Sequence, residues 1–561
     1  MGWASSLEAL ATVGAALAIA YRPLGDYMAR VFASPKDWRA ERAVYRLVGV
    51  NPAAEQTWRG YLRAVLAFSA VGLVLLYLMQ RLQQFLPYSL GHGSVPSALA
   101  FNTAASFVGN TNWQAYSPED TVGFTVQMAG LAVQMYVSAA VGIAVAMAMT
   151  RGIAARREGA MPGGIGNFWV DLVRACARIL LPASVIAAVV FLAGGVVQSL
   201  TGFTHITTIA GAPQAIPGGP VAAFEAIKMI GTNGGGFFAA NSAHPFENPS
   251  AWANLFQIFL LLMIPFALPR TFGAIVRDHR LGYAIAATMA VLFVLVFALL
   301  NGAELAGHGT APQLAGAAME GKEQRFGIDG STLFGSATTG TSGGASNSTL
   351  GSFTALGSLA LMLNMVLGEI SPGGVGAGLY TILVVAVIAV FLTGLLLGRA
   401  PVLLGKRIGV REMKIASLFI LVMPSLALAG MAISMTIPSI HDEIANRAMG
   451  RVGAHGLSEV MYAFISAAIN NGSAFGGLDV NTPWLNVILA VIILAGRFVP
   501  ITLALALAGS FAAQERASSG AAELPLHRPQ FVGVLIGVTV IIALPMFLPY
   551  LLIGPVAEWL D

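Results

Sequence analysis

The chain has 561 residues, 56% of them hydrophobic and only 10% charged, with a mean hydropathy of +0.75 and a formal net charge of +4. Soluble globular chains carry about 25% charged residues, so these figures exclude a soluble enzyme and indicate an integral membrane protein of the helical type. The single cysteine, Cys176, excludes a disulfide framework and a cysteine-rich metal site, and the basic balance lies in short loops between apolar runs, which argues against a nucleic-acid partner.

The first apolar run, 4–21, lacks a basic start and is followed by Arg22 rather than by a small-residue cleavage site, so it reads as a retained span. Further runs long enough to cross a bilayer lie near 62–80, 123–149, 174–197, 252–270, 281–300, 413–435, 484–508 and 530–553. The connections 22–63, 150–178, 270–280, 399–414 and 516–528 hold 23 of the 30 basic residues, against 6 in the intervening loops. That bias puts the first set in the cytoplasm and both termini outside.

One further stretch, 352–398, is apolar but broken by "LGEISPGGVGAG" at 367–378. As two spans it would send Arg399, Lys406 and Arg407 to the outer side; as one straight helix it would be about 70 Å long against a core of about 30 Å. One crossing with a non-helical insert, buried in protein or lining a wet cavity, satisfies both constraints and gives ten crossings.

Each long outer loop holds a short apolar stretch followed at once by a Gly/Asn/Thr/Ser cluster: "SALAFNTAASFVGNTNWQAY" (97–116), "AAFEAIKMIGTNGGGFF" (222–238), "STLFGSATTGTSGGASN" (331–347) and "EVMYAFISAAINNGSAFGG" (459–477). The apolar parts are too short to cross and have the length of a re-entrant half-helix. Aligned on their polar cores they read Asn110-Thr111-Asn112, Thr232-Asn233-Gly234, Thr341-Ser342-Gly343 and Asn470-Asn471-Gly472. The fold expected is an all-α polytopic membrane protein of four channel-like helix–re-entrant loop–helix repeats with one flanking span at each end. The boundaries are 1–61 for the first span and its connection, 62–150, 151–272, 273–399 (with the interrupted second helix) and 400–510 for the repeats, and 511–561 for the last span.

Four re-entrant loops entering from one face converge on one axis, and their composition suits an alkali cation. Such an ion must exchange water for oxygens at close range, and main-chain carbonyls supply them without a titratable charge. Turning successive carbonyls inward needs unusual dihedrals that Gly accepts freely and Asn better than most, and the third core position is Gly in three repeats and Asn112 in the first. The half-helices also aim their negative C-terminal ends at the ion. A dinucleotide reading of Gly234-x-Gly236-x-x-Ala239 fails because no strand precedes it.

At these residues the sequence resembles a known family. "GTNGGGFFAANSAHPFENP", "NTNWQAY", "TSGGASN", "NNGSAFGGLDVNTPW" and "GEISPGGVGAGLY" are similar, in order and over nearly the whole chain, to the potassium-binding A subunits of the bacterial Kdp potassium-transporting ATPases. The resemblance implies a multi-pass protein of the bacterial inner membrane whose filter faces the extracellular or periplasmic side and takes up K+ as its transported ion, with no organic cofactor. Its implied partners, within the lipid bilayer, are a P-type ATPase (the B subunit of such complexes) that hydrolyses ATP, a third or C subunit and a small F peptide. Filter positions map onto Asn112, Gly234, Gly343 and Gly472 with their neighbours, and a filter-adjacent Gln onto Gln114. Potassium is implied to leave sideways through an intramembrane tunnel.

Three charges near or within spans are path candidates. Glu369, at the break, is a functional carboxylate or one that pairs near a helix end. Arg497, near mid-span, pairs with a carboxylate, repels ions or snorkels. Arg399 is, by the resemblance, an inner barrier to leakage, or else an ordinary cytoplasmic anchor. Neither Gly-x4-Gly-Lys-Ser/Thr nor Asp-Lys-Thr-Gly occurs, so this chain alone hydrolyses no ATP; a stand-alone potassium channel or secondary transporter is the alternative. A membrane redox role is disfavoured because no His pair lies on a span.

Overall fold

The computed structural model describes residues 2–155, 161, 163–306, 318–368, 370–451, 453–515 and 526–560. In chain order its main helices are α1 Trp3–Ala33, α2 Arg39–Val48, α3 Trp58–Arg81, α4 Ser97–Val108, α5 Val126–Ala154, α6 Phe168–Ala193, α7 Val221–Ile230, α8 Ala251–Val276 and α9 His279–Ala306. They continue as α10 Gly327–Gly340, α11 Ala355–Val366, α12 Ala377–Leu396, α13 Val410–Thr436, α14 Ala454–Ala468, α15 Pro483–Ala513 and α16 Pro529–Leu560.

Ten of these helices are long and apolar enough to cross a membrane, as expected. The four short helices α4, α7, α10 and α14 sit between the second and third, fourth and fifth, sixth and seventh, and eighth and ninth spans. Because consecutive crossings alternate in direction, all four lie on one side. Strands are confined, among the described residues, to two small hairpins, Thr204–Thr207 with Pro213–Ile216 and Val402–Leu403 with Lys406–Arg407.

The interrupted stretch is a short helix, α11, a non-helical link, and the full span α12. Buried backbone amides of the link are bonded by protein, which is the condition for irregular chain at membrane depth. Gly373 N–H donates to the Gly340 carbonyl at 2.7 Å, and Val375 N–H to Thr232 Oγ1 at 3.1 Å. Asn364 Nδ2 donates to the Ser336 carbonyl and to Thr339 Oγ1, both at 2.9 Å. The break is therefore docked beneath α10 and the chain that follows α7.

The centre of the bundle is built from α5 and α12, the most buried spans, whereas α1 and α3 present most of their surface outward. In α5 the run Ala139–Met149 is small and apolar, which lets backbones approach closely where lipid supplies no hydrophobic drive. Gly142 shows the limit: a Cβ there would collide with the Val375 carbonyl of the docked link. Gly142→Val should therefore cost about 1–3 kcal/mol by overpacking and lower the unfolding midpoint of the detergent-solubilised protein. Gly533→Ala in α16, where a Cβ meets nothing within 4 Å, should leave it unchanged or raise it slightly.

Candidate functional site: four loops meeting at one point

Each half-helix ends in the same way. The amide five residues beyond a carbonyl of the last turn folds back onto it: Thr111 N–H to Ser106 at 3.0 Å, Asn233 to Lys228 at 3.0 Å, Gly343 to Thr338 at 2.9 Å, and Asn471 to Ser466 at 2.9 Å. This is the Schellman closure, which needs a left-handed residue just before the donor. That residue is Asn110 (φ 66), Thr232 (φ 48), Ser342 (φ 53) and Asn470 (φ 61). Thr232, β-branched and left-handed, is a backbone outlier of the kind that surrounding structure must hold in place, here through the bond from Val375 N–H.

This closure corrects the sequence alignment in the third repeat. Its core is Ser342-Gly343-Gly344 rather than Thr341-Ser342-Gly343, because α10 runs one residue further and Thr341 is its cap. Gly344 (φ 64) is then the third-position counterpart of Asn112 (φ 58) and Gly472 (φ 98). Gly234 is the exception: it is a glycine through proximity, since a Cβ would lie 2.5 Å from the Thr111 carbonyl, 3.1 Å from Gly344 Cα and 3.2 Å from the Asn471 carbonyl. One atom on loop 2 would thus touch loops 1, 3 and 4.

Side-chain amides close the ring. Asn110 Nδ2 donates to the Gly231 and Thr232 carbonyls at 3.2 and 3.3 Å, joining loops 1 and 2. Asn241 accepts from Ser346 N–H at 3.4 Å, joining 2 and 3. Asn471 Nδ2 donates to the Thr338 carbonyl at 3.0 Å, joining 4 and 3, and Asn470 Nδ2 to Thr111 Oγ1 at 2.9 Å, joining 4 and 1. Asn233 Nδ2 anchors loop 2 on the Met135 carbonyl of α5 at 3.2 Å. Gln114 bridges loops 1 and 2 again, accepting from Gly236 N–H at 2.9 Å. The Asn112 amide and Ser342 Oγ are buried with no hydrogen-bond partner among the described residues. On loop 2 the Gly234 carbonyl is held by Asn241 Nδ2 at 2.8 Å, so the four loops do not offer equivalent oxygens.

Behind loop 2 lies a feature that sequence reasoning missed. Lys228, fully buried, pairs with Glu225 and Glu247 at 2.7 Å each and donates to Asn241 Oδ1 at 2.9 Å. Glu247 also accepts from Phe238 N–H at 2.8 Å. Glu247, though its place in the chain is beside an outer Gly/Asn cluster, is an interior brace. Asp479 caps a turn, accepting from Asn481 N–H at 3.0 Å. His244 stacks on Phe238 with ring centroids 4.0 Å apart; burial holds its pKa below the ordinary value, in keeping with Nδ1 accepting from Phe246 N–H.

Of the path candidates, Arg497 is buried in α15 and donates to the Ser138 carbonyl at 3.0 Å. It lines a cavity with Asn470, Gly368, Tyr380, Met423 and Phe547, which runs from the inner end of loop 4 between α12, α13, α15 and α16. Arg399 is exposed just past α12 and does not belong to this group. Glu369 lies outside the described residues.

The Lys228 cluster yields one test. Lys228→Gln leaves two buried carboxylates uncompensated and should cost about 3–5 kcal/mol, read as a lower unfolding midpoint. Adding Glu247→Gln should recover part of that loss; no recovery would show that the three groups are not coupled.

Comparison with known proteins gives the family and the fold. The family model described as Potassium-transporting ATPase A subunit matches residues 11–560. The chain is 60% identical over 551 residues to the "Potassium-transporting ATPase potassium-binding subunit" of Clavibacter michiganensis subsp. michiganensis, covering 98% of each chain. It is 56% identical over 560 residues to the protein of the same name from Cutibacterium acnes, covering 100% of each. Its fold is similar to the crystal structure of the potassium transporter TrkH from Vibrio parahaemolyticus, with a TM-score of 0.53 at 16% identity over 80% of this chain and 84% of that one.

Proposed function

We infer function from the premise that the chain belongs to the potassium-transporting ATPase A subunit family. It is the potassium-binding, non-catalytic member of an ATP-driven uptake complex, and ATP hydrolysis falls to a partner. We propose that this partner is a P-type ATPase, the B subunit, and that a C subunit and a small F peptide complete the assembly. The four half-helices face the outside of a bacterial inner membrane and the arginine-rich connections face the cytoplasm, which the distribution of basic residues supports.

The observation that carries the reading is the meeting of four loops at Gly234. Potassium enters between them and exchanges its water for oxygens of the cores 110–112, 232–234, 342–344 and 470–472, under the negative ends of four half-helices. The unpartnered Asn112 amide and Ser342 hydroxyl are available to the ion. Gln114 sets the outer spacing of loops 1 and 2. Beneath loop 4 the ion meets the buried Arg497 guanidinium, whose charge bars the straight path and turns it into the lateral cavity, towards the ATPase partner. Glu369 follows Gly368, which lines that cavity, and acts as a carboxylate on the route. Arg399 serves as an anchor at the cytoplasmic surface. The repeats, at the boundaries given above, each contribute one loop.

Gly234→Asp should abolish high-affinity potassium stimulation of ATPase activity in the purified complex, with membrane insertion and assembly retained. Normal potassium affinity in that variant would remove Gly234 from the filter. Glu369→Gln should slow potassium-coupled turnover while leaving the half-saturating potassium concentration within about twofold (on the order of 0.4 kcal/mol); unchanged turnover would make Glu369 structural. Sodium in place of potassium should give little stimulation in the unmodified complex.

A further inference from the structure

Away from the filter, α1 and α9 flank α8 and meet each other near both ends. At one end Trp3 packs against Gly302, and at the other Arg22 Nε donates to Tyr283 OH at 2.8 Å. Between these contacts the helices stand apart and leave a slot open to the membrane. Gly14 and Ala18 of α1 and Ala287 and Ala290 of α9 form its walls, and Leu262 and Phe266 of α8 its floor. A Cβ on Gly14 would meet nothing within 4 Å, so the slot is not closed by packing.

Its dimensions select an occupant. From Leu10 to Arg22 the helix rises about 18 Å, close to the roughly 15 Å depth of one leaflet of the hydrocarbon core. The slot has a volume of about 720 Å³ and is lined almost wholly by apolar side chains. Its length of one leaflet and its apolar lining suit a hydrocarbon chain.

The mouth carries a matching charge. Arg270 is neutralised by Asp26 through two bonds of 2.7 and 2.9 Å, but Arg22 has no carboxylate partner among the described residues. Its guanidinium lies 5.7 Å over the Tyr283 ring, with Tyr21 beside that ring at 5.5 Å between centroids. An arginine flanked by two tyrosines at the arginine-rich end of two spans stands at headgroup depth. There its remaining N–H groups match a phosphodiester.

We propose that this slot binds one glycerophospholipid of the leaflet on the arginine-rich face, with an acyl chain between α1 and α9 and an anionic headgroup on Arg22. The lipid completes the surface where α1 joins the bundle and is independent of the potassium path.

The test is native mass spectrometry of the purified complex exposed to phosphatidylglycerol and phosphatidylcholine, with photolabelling by a phosphatidylglycerol whose acyl chain carries a photoactivatable group. The unmodified complex should retain one phosphatidylglycerol in preference to phosphatidylcholine, with label on the peptides containing Gly14 and Ala287. Arg22→Gln should lower that preference about fivefold. Ala287→Phe, or Gly14→Leu if the first assembles poorly, should abolish retention of both lipids without changing potassium-stimulated ATPase activity. Equal retention in the unmodified complex and in the variants would overturn the proposal. So would cross-linking of an Ala287→Cys variant to another protein of the complex, which would give the slot to that protein.

Discussion

The structure depends on how closely four loops can approach a single point. Loops packed this closely stay in place only when the chain behind them is fixed. The fixing is done twice: by a closure at the end of each half-helix that forces a left-handed residue, and by asparagine amides that tie each loop to its neighbour. Because the amides are used between loops, a disturbance in one loop reaches the others through hydrogen bonds as well as through packing.

The second loop has a special place in that ring. It holds the longest glycine run, it is the loop whose glycine all three others touch, and it is braced by a fully buried lysine between two carboxylates. Such a cluster is a poor source of net stability, since desolvation offsets most of the attraction. Its value is geometric: Lys228 holds Asn241, and Asn241 holds the Gly234 carbonyl. The docked link after α11 supports the same loop from below, through Thr232. The interrupted span and the buried charges thus serve one end, a rigid loop 2.

On the path proposed above, Arg497 and the lateral cavity separate binding from exit. A channel with fourfold equivalent loops would continue straight through. Here the fourth repeat contributes a cation at mid-span beneath its own loop, and the open space lies to one side, among α12, α13, α15 and α16. Under that proposal, unequal repeats let the filter feed a neighbour rather than the opposite solution.

Much of this was legible in the residues. Uninterrupted apolar runs specify crossings because lipid leaves the backbone no other partner, and Pro372 with its glycines marks the break for the same reason. Short apolar stretches before Gly/Asn clusters marked the half-helices. The register of the third loop was not legible: Thr341 resembles Thr232 in chemistry, and only the length of α10 decides that Ser342 takes the left-handed position. Nor was the pairing of Lys228 with Glu247, nineteen residues apart, since no local spacing joins them. Local physics acts between neighbours in the chain, so the sequence by itself determined which segments cross and which dip. Only the tertiary structure decided which loops meet, which amides bind them together and which charges are buried, because those contacts join residues from 19 to 359 positions apart.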